Sequence, residues 1–124
     1  GLVRHQSLVL SNNEYMANAT IIIMEGGSLH IGANTNISFA PNCGILVSRS
    51  GMLTIVGPSL LGSSSPDYWV GILLHNFNDT YISDAVIRDV ESGIISNSTG
   101  HLSIDRVIIE NASYNGIELE SSST

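Results

Sequence analysis

Residues 80–119 write one short motif twice, and that duplication limits what this chain can fold into. The first copy runs Ile82-Ser-Asp-Ala-Val-Ile-Arg-Asp-Val-Glu-Ser-Gly93-Ile94. The second runs Ile104-Asp-Arg-Val-Ile-Ile-Glu-Asn-Ala-Ser-Tyr-Asn-Gly116-Ile117. Ile82 maps on Ile104 at an offset of 22, and Gly93-Ile94 maps on Gly116-Ile117 at 23, which assigns the extra residue to Asn115. Short β-branched runs cut by Gly, Asn and Ser at this period identify a stacked solenoid, in which each repeat buries its apolar face only against its neighbours.

The repeat extends upstream. Gly71-Ile72-Leu73-Leu74 precedes Gly93 by 22 residues, and Gly44-Ile45-Leu46-Val47 precedes Gly71 by 27. The surplus is assigned to Gly62-Ser-Ser-Ser-Pro66-Asp67, a loop by composition. A second series reads Leu29-His30-Ile31, Leu53-Thr54-Ile55 and Leu102-Ser103-Ile104. Both series alternate apolar with variable residues, the period of strands with one buried face. Strands are expected near 28–31, 36–39, 44–47, 52–56, 69–74, 80–83, 85–88, 93–96, 101–104, 106–109 and 116–119. Upstream, Leu8–Leu10 and Ala19–Ile23 are weaker strand candidates around a polar turn, Ser11–Glu14.

Three short strands per 22–24 residues define an all-β, single-stranded parallel β-helix of four to five coils. At ~4.8 Å per coil it forms a stub roughly 20–25 Å long. The register carries its own electrostatic check: Asp84 falls beside Arg106 and Arg88 beside Glu110, each pair contributing about 0.2–1 kcal/mol. Residues 1–124 form one such segment. Its open terminal strands and short polar tail, Glu120–Thr124, lead us to expect an internal piece of a larger ectodomain, with adjoining coils or domains of the parent chain as its first partners.

Composition narrows the function classes. Charged residues make up 12%, the only cations among them are Arg4, Arg49, Arg88 and Arg106, and the net charge is −7. Nucleic-acid binding needs clustered positive charge, which these four scattered arginines do not supply. No apolar run approaches the ~20 residues of a membrane-spanning helix, so no direct insertion of this segment is expected. Cys43 is the single cysteine. It reads either as a small buried thiol or as a partner for a cysteine outside this segment.

Compartment is signalled instead by five Asn-x-Ser/Thr sequons, at Asn18, Asn36, Asn78, Asn97 and Asn111. Chance would give about 2 in such a composition. Each Asn lies in a turn or beside an inward-facing aliphatic, so its amide can carry a glycan toward solvent. An extracellular glycoprotein follows as the expectation.

Gly27-Ser-Leu29-His-Ile31, Ile37-Ser-Phe39-Ala-Pro41-Asn42, Gly44-Ile-Leu-Val47, Gly51-Met-Leu53 and Tyr68-Trp69-Val-Gly71-Ile72 together form a layout. It resembles the right-handed parallel β-helix modules in the large ectodomains of the bark beetle protein family, and the Gly-Ile coils at 93–119 fit the same module. Members of that family are transmembrane proteins of animal epithelia associated with tricellular junctions. The resemblance therefore implies the ectodomain of a plasma-membrane protein, and a protein partner at cell junctions.

Because many β-helices cleave polysaccharides, chemistry has to be sought residue by residue. A polygalacturonase-like site is matched only at Gly100-His101, with no Asp-Asp pair and no lysine. Acid–base glycoside cleavage needs two carboxylates facing one groove. Asp84, Asp89 and Asp105 are the candidates, and Asp84, Asp89 and Arg88 are the set that a calcium-dependent lyase would use. The favoured reading of all of them is a solvated face, with no catalytic residue, metal or cofactor. His5, His30, His75 and His101 lack zinc-ligand spacing. Tyr68 and Trp69 are weighed as a sugar-stacking platform against simple packing of the aromatic beneath loop 62–67. The function expected is a non-catalytic spacer or adhesion surface; the alternative is a truncated polysaccharide lyase or glycoside hydrolase.

Overall fold

The computed structural model describes residues 2–75, 77, 79–96 and 101–119. Twelve strands follow in order: β1 Leu2–Arg4, β2 Ser7–Leu10, β3 Glu14–Ala17, β4 Ile21–Met24, β5 Ser28–Ile31, β6 Thr35–Phe39, β7 Gly44–Val47, β8 Met52–Ser63, β9 Gly71–Leu74, β10 Thr80–Ser96, β11 Leu102–Asp105 and β12 Ile108–Leu119. All their pairings are parallel, each strand lying beside its equivalent one coil away. The chain is a β-solenoid of about five turns.

Three columns of strands make its three faces. The first stacks β2, β5, the start of β8, the start of β10 and β11. The second stacks β3, β6, the end of β8, the middle of β10 and the start of β12. The third stacks β1, β4, β7, β9 and the ends of β10 and β12. Like lies on like within each: Ile21, Ile45, Ile72, Ile94 and Ile117 form one inward row, and Leu10, Ile31, Ile55, Ile82 and Ile104 another. Branched side chains suit this arrangement because their restricted χ1 costs little on a pleated surface, and each fully buried aliphatic contributes about 1.5–3 kcal/mol. A slip of one residue would turn a whole row to solvent.

The structure corrects several expected boundaries. Glu14–Ala17, which follows the expected polar turn and includes its last residue, is a strand paired with β6, Tyr15 beside Ile37 and Ala17 beside Phe39. The pieces expected at 80–83, 85–88 and 93–96 are one bent strand, β10. Gly62 and Ser63 belong to β8, paired with Ser38 and Phe39, so the loop starts only at Ser64. The extra residue of the last coil is not Asn115, which pairs with Ser92. Val90 pairs with Ala112, and the insertion therefore lies within Ser113-Tyr114.

Long strands turn the corners because single residues adopt left-handed backbone without breaking the stack. Asp84 (φ 53°) and Arg106 (φ 52°) do so at one corner, with Asn12 and Asn34 at the same corner of earlier coils. His5, Glu25 and Arg49 do so at another, Asp89 and Asn111 at the third. Side chains at these corners project outward, and the ion pairs gather there.

Several positions admit only glycine, and Gly71 combines a close backbone approach with a left-handed φ. Gly71 (φ +111°) opens the third column, and a Cβ there would stand 1.7 Å from the Ser92 carbonyl oxygen of the next coil. Gly44 and Gly93 occupy the same row under similarly close backbone.

Candidate functional site

Trp69 is not a surface platform. Its side chain is fully buried and lies parallel to Phe39, ring centroids 4.2 Å apart at 6°. Its indole N–H donates to the Arg88 carbonyl at 2.8 Å. Both ring and donor are therefore committed to the core, as an aromatic with one polar atom requires when buried. Tyr68 is half-buried, its hydroxyl 3.5 Å from Asn111 Oδ1. With Trp69 enclosed in the core, the two adjacent aromatics form no joint platform.

The carboxylates weighed for catalysis are tied into the corner ladders. Arg106 forks onto Asp84, Nε to Oδ1 at 2.6 Å and Nη2 to Oδ2 at 3.1 Å, and its Nη1 also reaches Asp105 Oδ2 at 2.8 Å. Asp89 accepts from Asn111 Nδ2 at 2.8 Å. Arg88 pairs with Glu110 at 3.1 Å, so both pairs inferred from the repeat register are formed. At another corner Glu25 takes Arg4 at 3.3 Å and Arg49 at 3.2 Å, with His5 at 4.0 Å. These groups are largely solvent-exposed, and water and salt screen such pairs strongly. They decorate the outside of the stack.

The Arg106 hydrogen bond holds the Asp84 carboxyl below the ordinary carboxylate range. A lowered pKa means that the pair's contribution is complete above the unfolded value and is lost as pH falls through the folded one. Arg106→Gln is therefore expected to raise the Asp84 pKa toward the ordinary range, read by NMR titration of the side-chain carboxyl carbon. An unchanged titration would contradict the bidentate pair.

Among the described residues no group of three or more His, Cys, Asp or Glu is placed to hold a metal ion. His30 is exposed, on the outward side of β5. His101 stands 5.9 Å from the Tyr81 ring, on the first face. Gly100, the other half of the polygalacturonase-like match, lies outside the described residues. Cys43 is buried and free.

The sequons fall in different settings. Asn18 is exposed in the bend after β3, and Asn36 is exposed on β6. Asn111 is exposed in a left-handed corner with its amide nitrogen engaged by Asp89. Asn78 and Asn97 lie outside the described residues.

Two features were not foreseen from the residues. A cleft of about 370 Å³ lies on the second face, lined by Asn34, Asn36, Pro58, Ser59 and Leu60. Inside the first column, Thr80 is fully buried between Leu53 and Leu102, its hydroxyl without a partner. A buried hydroxyl left unpaired costs about 1–3 kcal/mol. Thr80→Val keeps shape and removes that cost, so it is expected to stabilise the chain by ~1 kcal/mol in urea titration. Destabilisation would show that the hydroxyl is satisfied.

Comparison of the chain with protein-family models, curated proteins and solved structures found no match.

Proposed function

We propose that the chain is a non-catalytic, extracellular β-helix module that serves as a rigid spacer and cell–cell adhesion or junction surface. The observation that carries this reading is the in-register stack. Five coils repeat the same inward rows, and their outward charges are paired from coil to coil, as in Asp84–Arg106, Arg88–Glu110 and Glu25–Arg49. Such a stack resists bending because every coil is bonded along its length to the next, and its outer faces keep fixed positions.

One outer row suits lateral contact. Leu2, Ile22, Leu46, Leu73 and Ile95 pair in sequence along the third face, on the side opposite the inward isoleucines. They cover one another partly, and Leu2 is 51% exposed. The resemblance of residues 26–74 and 93–119 to bark beetle modules supports the same reading, as does the sequon content.

The test is aggregation of beads coated with the secreted, glycosylated chain. Clustering that Leu73→Glu disperses is the expected result. Release of reducing or unsaturated ends from an acidic polysaccharide by the same preparation would overturn the non-catalytic reading.

A further inference from the structure

The cleft on the second face and the sequon at Asn36 are one feature. Asn36 sits in β6 directly beside Leu60 of β8, and both are outward positions, since Ile37 and Leu61 on either side are buried. Ser38, the hydroxyl residue of the sequon, lies two positions on and so on the same face. The corner before β6 brings Asn34 against Pro58, the Asn34 N–H donating to the Pro58 carbonyl at 2.6 Å. Asn36 thus lines a cleft whose aliphatic part is Leu60 and Pro58 and whose polar part is Ser59 and a second amide, Asn34.

We infer that this cleft seats the first N-acetylglucosamine of a glycan joined to Asn36 Nδ2. A pyranose ring has a C–H face that covers aliphatic carbon well. Its N-acetyl group adds a methyl for the aliphatic part, Leu60 and Pro58, and a carbonyl that the Asn34 amide can meet. The cleft volume of about 370 Å³ is at the small end of ligand sites, suited to one ring rather than an oligosaccharide. Covalent attachment removes most of the association cost, so a shallow apolar seat suffices to hold the ring. Of the other described sequon residues, Asn111 is engaged by Asp89, and Asn18 borders a second hollow of about 350 Å³, walled by Leu8, Leu10, Tyr15 and Ile21 at the first coil, whose lining carries no second amide. For Asn36 the seated sugar shields Leu60 and Pro58 from solvent.

This inference rests on the extracellular glycoprotein reading, and one experiment separates the two. The full chain is secreted from a eukaryotic host, trimmed with an endoglycosidase that leaves a single N-acetylglucosamine, and compared with Asn36→Gln, each with and without Leu60→Ser. Glycopeptide mass spectrometry reads occupancy at Asn36, and thermal unfolding reads the coupling. The expected result is occupancy, a Tm about 3–5 °C above that of Asn36→Gln, and loss of that difference in the Leu60→Ser background. Occupancy with a Tm difference of zero, or one that Leu60→Ser leaves intact, overturns the seat but not the glycosylation. An unmodified Asn36 overturns both at this site.

Discussion

Gly71→Ala is expected to cost about 4 kcal/mol or more, a large fraction of the stability of a domain this size. Two effects combine. The backbone at Gly71 has φ +111°, a region that L side chains rarely enter, and this strain alone is worth about 1–3 kcal/mol. The added Cβ would also stand 1.7 Å from the Ser92 carbonyl oxygen and 3.1 Å from Val90 Cγ2. The coils cannot move apart to relieve this, because Ile72 is paired with both Ile45 and Ile94. Gly116 is the matched control. It belongs to the same row one coil beyond Gly93, and nothing lies within 4 Å of a Cβ built there. Gly116→Ala should change stability by no more than ~0.5 kcal/mol. Equal effects of the two substitutions in urea titration would contradict the observed close approach of coils.

Trp69→Ala should cost about 3–5 kcal/mol. It removes a fully buried side chain, breaks the 4.2 Å stack with Phe39, and leaves the Arg88 carbonyl without its indole donor. Tyr68→Ala, one residue away on a half-buried side chain, should cost ~1 kcal/mol or less. Trp69 is the single tryptophan, so its native emission is expected at short wavelength and to shift red on unfolding. Emission at the wavelength of free indole in the native protein would contradict the core placement.

Which parts of this fold could be read from sequence follows from what stacking requires. Rows inside a solenoid must match in size and branching, and so Ile45, Ile72, Ile94 and Ile117 announce themselves as one column at spacings of 27, 22 and 23. The Asp84–Arg106 and Arg88–Glu110 pairs follow from the same register. The first coil is less legible because its inward positions are Leu8, Leu10, Tyr15 and Ile21, unlike one another in shape and covered by a neighbour on one side only. Corners are harder still. Left-handed backbone is signalled by Gly or Asn, yet Glu25, Arg49, Asp84 and Arg106 adopt it here: the Glu25 N–H donates to the Arg49 carbonyl of the next coil, and the Arg106 side chain reaches back to Asp84. Their 22-residue spacing at Asn12–Asn34 and Asp84–Arg106 is the one clue in the sequence.

The candidate site was less legible than the fold. An aromatic pair such as Tyr68-Trp69 gives no sign of which ring faces inward. Strand alternation counted back from inward Ile72 would turn residue 69 outward; the left-handed Gly71 breaks that alternation and lets Trp69 enter the core. The cleft beside Asn36 needed still more, because Pro58 and Leu60 come from the next coil and meet Asn34 and Asn36 only through the stack.

Rigidity of the stack is the claim on which the spacer reading depends, and a spin-label distance measures it most directly. Val9, His30, Thr54, Tyr81 and Ser103 pair in sequence along one outward row. Four strand spacings separate its ends, roughly 19 Å. With labels at Val9→Cys and Ser103→Cys in a Cys43→Ser background, pulsed dipolar spectroscopy should give one narrow distribution centred near that value plus the label arms. A broad distribution, or a mean far beyond it, would contradict an in-register rigid rod.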